Sequence, residues 1–226
     1  MVKCWMGVDV HQKYFQICVL DAHGVAKYLK VPSDDRGCID TEIKNAKPEV
    51  MAIDCPRGPS KNNVLKNRRV SEYVLGIGGY YATKSKKQAC AKWMQTGFKL
   101  YKRLEKKAIE VFPGYAFYWR NDFVWPPKKK TRKGMQARIR ILRNLVKNLQ
   151  PGKTNDHEID SLMAAVLAKI YGKRQGAGFL VGDRDEGPIF MPRPVTEEKL
   201  TTLLKRRAKG LKPPCKAFPK RYFKAR

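Results

Sequence analysis

Three short apolar bursts open the chain, and one long apolar stripe follows much later. Residues 2–9 (VKCWMGVD), 14–20 (YFQICVL) and 25–31 (VAKYLKV) are strand-length runs, the first ending on Asp9. The link Asp21-Ala22-His23-Gly24 is a turn in which Gly24 supplies the permissive backbone, and Pro32 stops the third run. Three strands so joined predict an antiparallel meander. Gly7, inside the first strand, either admits another backbone at close range or marks a bulge. Residues 34–46 carry a helical pattern, with Ser33 placed to cap it and Asp34 and Asp35 favourable at its N-terminus. Pro48 ends it, and residues 49–53 (EVMAI) form a fourth strand that delivers Asp54. A right-handed strand–helix–strand crossover sets this strand beside the first and parallel to it. Asp9 and Asp54 then stand together at the C-terminal edge, where open α/β sheets place their sites.

The middle of the chain breaks at Cys55-Pro56-Arg57-Gly58-Pro59 and runs polar and Gly-rich over 60–84, with Arg68, Arg69 and Glu72 in a short helix. A long basic helix is predicted over 86–107, buried through Cys90, Trp93, Gly97, Leu100, Tyr101 and Leu104. Residues 108–112 (AIEVF) form a fifth strand stopped by Pro113. An aromatic loop and a helix over 135–149 come next. The longest periodic stretch is 153–172 (KTNDHEIDSLMAAVLAKIYG), where Ile159, Leu162, Met163, Val166, Leu167 and Ile170 make a stripe wide enough to pack on a sheet. Asp160 sits at the edge of that stripe, His157 one turn earlier and Asp156 at the helix start. An acid at 156 suits the positive end of a helix that Thr154 or Asn155 can cap, whereas an acid at the margin of an apolar stripe has no such ordinary role. Residues 176–192 read as a small hairpin around Gly-Asp-Arg-Asp-Glu-Gly, with Asp183 and Glu186 as turn residues, and Thr196–Ala208 as a short helix.

Charge changes the picture. The formal net charge is +28 over 226 residues, and it is segregated: residues 61–107 hold 13 Lys/Arg and 2 acids, 128–153 hold 10 and none, and 191–226 hold 12 and 2. A near-neutral body with three basic segments points to an extended polyanion, since phosphate neutralisation needs clustered cations. Candidate contacts are Lys86 and Lys87, then Lys128, Lys129, Lys130, Arg132 and Lys133, then Arg206, Arg207, Lys220 and Arg221. Such contacts position a strand without specifying its sequence. Tyr115, Phe117, Tyr118, Trp119, Phe123 and Trp125 either stack on bases or plug a hydrophobic gap beneath their loop. None of the six cysteines forms a C-x-x-C pair, and no apolar run approaches 18 residues, which together read as a reduced, soluble, cytoplasmic protein with no membrane partner.

The order β-β-β-α-β-α-β-α-α matches the ribonuclease H architecture: a mixed five-stranded α/β sheet flanked by helices. MGVDVHQKYFQICVLD, VMAIDCPRGP, AIEVFP, KKKTRKGMQAR, TNDHEIDSLMAAVLAKI and GDRDEGPIFMP, in that order, resemble the domain-of-unknown-function family 429, described as predicted RNase H-like nucleases. More distantly they resemble RuvC-type resolvases. The resemblance spans roughly residues 5–192 and implies an RNase H-like domain over 1–192; the composition of 193–226 reads as a basic Pro/Lys/Arg-rich tail. It implies Asp9 as the central ligand of two divalent ions, Mg²⁺ or Mn²⁺, with Asp54, His157 and Asp160 completing a catalytic site. The family usually has Asp-Asp-x-x-Asp-Ala where this chain has Asp156-His157-Glu158-Ile159-Asp160-Ser161, and His suits Mg²⁺ less well than a carboxylate.

The residues agree on physical grounds. Carboxylates converging at a sheet edge raise one another's pKa unless a cation is present, and paired divalent ions activate water for phosphodiester hydrolysis. Two functions stay open. One is a metal-dependent nuclease acting on RNA or DNA. The other is a catalytically inactive RNase H-like protein docked on a ribosome or other ribonucleoprotein, with RNA favoured over DNA.

Overall fold

The computed structural model describes residues 2–60, 69–75, 91–104, 108–122, 124–146, 149, 155–173, 178–183, 186–192 and 223–225. The meander forms as expected. Strands β1 (Cys4–Val10), β2 (Tyr14–Asp21) and β3 (Ala26–Pro32) pair antiparallel in sequence order. Helix α1 (Arg36–Ala46) is capped by Asp35, whose side chain accepts from the Gly37 and Cys38 N–H groups. Ser33, the alternative cap, instead donates its hydroxyl to the Gln12 carbonyl. Strand β4 (Met51–Asp54) then returns parallel to β1, with Asp9 directly opposite Asp54.

After α2 (Val70–Leu75) and α3 (Lys92–Leu104), β5 (Ala108–Glu110) adds in parallel to β4. Residues 114–120 are not loop. Pro113 occupies the first turn of α4 (Pro113–Arg120), where its fixed φ and missing N–H cost nothing. Thr131 caps α5 (Arg132–Arg143), three residues ahead of the expected start, and α6 (Asp156–Gly172) follows. The sheet is wider than the five strands expected. The 178–192 hairpin, β6 (Gly178–Val181) and β7 (Ile189–Pro192), joins it because β7 pairs in parallel with β5 and covers what would be an open edge. A three-residue β8 (Phe223–Ala225) adds to β6, giving eight strands among the described residues in the order β3-β2-β1-β4-β5-β7-β6-β8. The first five, with β2 reversed, have the mixed arrangement expected of the five-stranded sheet. The predicted helix over 196–208 and most of the basic tail lie outside the described residues.

Strand alternation splits the core into two layers. Met6, Val8, Val10 and Ile53 face Leu100 and Tyr101 of α3. Ala52, Ile109 and Val111 face α6, whose residues 159–168 are all buried. Gly7 explains how α6 lies so close: a Cβ there would stand 2.0 Å from the Ser161 carbonyl oxygen and 2.2 Å from the Ala165 nitrogen. Close backbone approach, rather than a bulge, is the role of this glycine. Gly7→Ala should therefore push α6 off the sheet and cost about 1–3 kcal/mol or more in urea unfolding. A variant as stable as the parent would show that α6 has slack. Among the described residues, no helix is long and apolar enough to cross a membrane.

Candidate metal centre at the sheet edge

The alternation that buries Gly7 and Ala52 under α6 also turns Asp9 and Asp54, two residues on, toward the same helix. The first turn of α6 meets them. Asn155 caps that helix in a capping box with Glu158, accepting from the His157 and Glu158 N–H groups. This fixes His157 with Nδ1 3.1 Å from Asp9 Oδ2. One turn further, buried Asp160 completes the edge. The four residues singled out from the sequence converge here, whereas Asp156 acts as a first-turn helix acid, 3.7 Å from His157 Nε2.

His11 was not anticipated. It lies two residues past Asp9, on the same side of the extending strand, and its Nε2 is 2.9 Å from the same Asp9 Oδ2. The two imidazoles meet edge to face with centroids 4.1 Å apart, and Tyr14 packs on His11 at 4.5 Å. One ligand atom each from Asp9, His11 and His157 falls within 4.8 Å of the others. The signal lay in Asp9-Val10-His11, a spacing of two at a strand end, which places both side chains on one face.

Charge in this edge is strained. Burial pushes the Asp9 carboxyl up, but hydrogen bonds from His11 and His157 outweigh it and hold Asp9 below its ordinary value. The same contact raises His157. The Asp54 carboxyl has no hydrogen-bond partner among the described residues, and burial followed by the charges of Asp9 and Asp160 pushes it well up. Burial also raises Asp160, against the pull of Lys129, whose Nζ lies 2.6 Å from Asp160 Oδ2. Lys129 is thus a partner of the carboxylates and departs from the simple phosphate contact expected of it.

Its neighbours Lys128, Lys130, Arg132 and Lys133 are exposed. Lys130 shares a surface cavity of about 350 Å³ with Met135, Asn155, Asp156 and His157, which brings the basic run to the rim of the site. Lys86, Lys87, Arg206, Arg207, Lys220 and Arg221 lie outside the described residues. On the other side of the carboxylates a cavity of about 540 Å³ is walled by Trp93, Val111, Phe112 and Ile189 and floored by Arg69, Glu72 and Glu110. Glu110 pairs with Ile53, so it faces away from α6 and is bound by Arg69. The aromatic set divides. Tyr115, Phe117 and Trp119 are buried as a plug, and Trp125 is exposed.

Residues 83–186 match the family described as "Protein of unknown function (DUF429)", bearing out the family resemblance over a shorter span than the motifs suggested. No curated protein matches the chain in sequence. Among solved structures, RuvC of Thermus thermophilus aligns at 12% identity and a TM-score of 0.40, covering 74% of this chain and 92% of that one. T. thermophilus RuvC in complex with a Holliday junction substrate aligns at 12% and 0.36, covering 74% and 91%. A ROK family glucokinase from Streptomyces griseus aligns at 13% and 0.27, covering 55% and 38%.

Proposed function

We propose that this chain is a metal-dependent nuclease that hydrolyses a phosphodiester bond in RNA or DNA, with residues 1–192 as the catalytic domain and 193–226 as a basic extension. The observation that supports it best is the convergence of Asp9 and Asp54, from neighbouring parallel strands, with His157 and Asp160 from one helix. The donor set suits a divalent cation. Metal–ligand bonds of about 2.1 Å at right angles set adjacent ligand atoms about 3 Å apart, and His11 and His157 stand 2.9 and 3.1 Å from the Asp9 oxygen. Asp9, His157 and His11 would hold one ion, and Asp54 and Asp160 would complete a two-ion site. Bound ions would supply Lewis acidity and a water deprotonated near neutrality. The chain itself anchors the strand through Lys128, Lys130, Arg132 and Lys133, orients Asp9 between two imidazoles, and balances Asp160 with Lys129.

Two ring nitrogens shift the preferred metal from Mg²⁺ toward Mn²⁺ or Zn²⁺, because imidazole is a better ligand for the softer ions. His11→Ala should weaken Mn²⁺ binding about tenfold in calorimetric titration and change Mg²⁺ binding less. Affinity should rise with pH. His157, raised above its ordinary 6.5, and Asp54, raised from its ordinary 3.8, must both shed protons before they can bind. Mn²⁺ affinity that is flat across pH 6 to 8 would remove His157 from the ligand set.

Lys129 favours a second reading. A protein cation already sits on Asp160, as in a site that has retired from catalysis into RNA binding on a ribonucleoprotein. Labelled single-stranded, duplex, junction and RNA substrates, incubated with Mg²⁺, Mn²⁺ or EDTA, separate the two. Metal-dependent cutting supports the nuclease. Tight, salt-sensitive binding, strongest for RNA and with no cutting under either metal, supports the retired fold.

A further inference from the structure

Trp125 departs from the burial rule that its aromatic neighbours obey. It is 56% exposed and lies beside Val124, itself 61% exposed. Yet it is not loosely held. One face of its ring stacks on Tyr118 at 4.6 Å with 26° between planes, and Tyr115 meets it edge-on at 5.8 Å. Those two are its ring contacts among the described residues, so the second face is open to solvent. An indole backed by a tyrosine and open on one side gains burial and ring contact when a flat apolar group covers it.

The loop that carries it is built rather than slack. Pro126 and Pro127 follow directly. Arg138 donates to the Pro127 carbonyl at 2.8 Å. Thr131 donates its hydroxyl to the Lys128 carbonyl at 2.8 Å while capping α5. Gly134 lies so near that a Cβ there would stand 2.0 Å from the Lys128 carbonyl oxygen. Four residues beyond Trp125, Lys129 is fixed to Asp160. Four residues of extended chain span at most about 14 Å between Cα atoms, so even with both side chains extended the indole stands within a few nucleotides of the carboxylates. Exposed Lys128, Lys130, Arg132 and Lys133 line the same loop and the start of α5.

We propose that Trp125, backed by Tyr118, is a stacking platform for an unpaired base of the bound strand, within a few nucleotides of the phosphate held at the sheet edge. This deepens the nucleic-acid reading above and names its substrate class: a strand that is single-stranded, or locally unstacked, within a few nucleotides of the bond to be cut. The ligand chemistry is a π-face on an anionic backbone. It requires an indole with one open face and cations alongside, and no donor or acceptor code, so the platform is indifferent to sequence. Paired bases in a duplex interior present no free face.

Intrinsic tryptophan fluorescence reports this in a full-length Trp93→Phe background, because Trp5 and Trp119 are buried and half-buried Trp93, in the cavity wall beside the carboxylates, would otherwise respond too. Titration with 15-nucleotide oligo(dT) and oligo(rU) should quench emission, and a blunt duplex of the same length should quench far less. Trp125→Ala should weaken single-strand affinity about tenfold, as expected for loss of one stacked base. Trp125→Phe should restore most of it, and duplex affinity should be unchanged in both. The two oligonucleotides tell whether RNA or DNA is the better occupant. Unchanged single-strand affinity in Trp125→Ala, or equal losses for single strand and duplex, would overturn the platform. Repeating the titration in Asp9→Asn separates the two proposals: quenching that persists without any cutting leaves the platform standing whether or not the chain is a nuclease.

Discussion

Asp9→Asn should abolish metal-dependent cutting, by a factor on the order of 10³ or more, while nucleic-acid binding stays intact. The asymmetry follows from where the charge sits. One oxygen of Asp9 faces both imidazoles, and the carboxylate lies opposite Asp54 in the sheet. A neutral amide keeps the shape but gives up the anionic oxygen that both imidazoles face. The exposed cations proposed to hold the strand are untouched. Stability should respond differently from activity, and Asp54→Asn makes the contrast sharp. The folded state raises the pKa of Asp54, so the fold binds that proton more tightly than the unfolded chain does. As pH rises from the ordinary 3.8 toward the raised folded value, the metal-free protein loses stability, and above that value the full penalty remains. Asparagine at 54 removes the penalty. At neutral pH without metal, its melting temperature should match or exceed the parent's by a few degrees, while cutting is lost. Residues that merely supported the fold would lose both together. Undiminished cutting by Asp9→Asn would remove this edge as the catalytic site.

The legible parts of this site were those set by local periodicity. A strand ending in Asp, a crossover helix and a second strand ending in Asp suffice to place Asp9 beside Asp54. An acid at the edge of a helical apolar stripe suffices to bring Asp160 to them. What escaped depended on pairs far apart in sequence. Lys129 finds Asp160 across 31 residues, and nothing in a run of basic side chains marks which one turns inward. Strand β7 joins β5 through one pair, Glu110 with Ile189, so the wider sheet left no trace beyond an isolated hairpin pattern. His11 followed a strand and read as loop. Helix α4 was concealed by its aromatic content, since a helix buried on most sides has no polar face to mark its period. Glu186, read as a turn residue, is buried and accepts from the Val70 N–H, an interaction spanning 116 residues.

Arg69→Ala should be the most destabilising single change outside the site, costing about 3–5 kcal/mol in chemical unfolding. Arg69 is 1% exposed, and its guanidinium is satisfied on every side. Nε donates to Glu72 at 2.7 Å, Nη1 to Glu110 at 2.7 Å and to the Glu186 carbonyl at 3.1 Å, and Nη2 to the second Glu110 oxygen. Glu110 also accepts from the Arg57 N–H at 2.9 Å. Removing the arginine leaves two carboxylates buried without a counter-charge, and burial already raises Glu110 even with Arg69 present. Arg69→Lys should recover only part of the loss, because one ammonium cannot bridge both acids as the planar fork does. Glu110→Gln should cost less than Arg69→Ala, since it removes a charge that is expensive to bury and leaves Glu72 to pair the arginine. Equal losses would mean that the geometry of the network, not its charge balance, sets its worth. A loss in Arg69→Ala of only about 0.5 kcal/mol, typical of a surface substitution, would mean that water enters and rescues the acids. The network also ties β5 to the 186–187 loop and floors the cavity beside Asp9 and Asp54. Saturating Mn²⁺ should therefore return part of the lost stability to Arg69→Ala, because a ligand that binds only the folded edge pulls the equilibrium toward it. Failure of Mn²⁺ to do so, where it still stabilises the parent, would show that the carboxylate edge does not form without the floor.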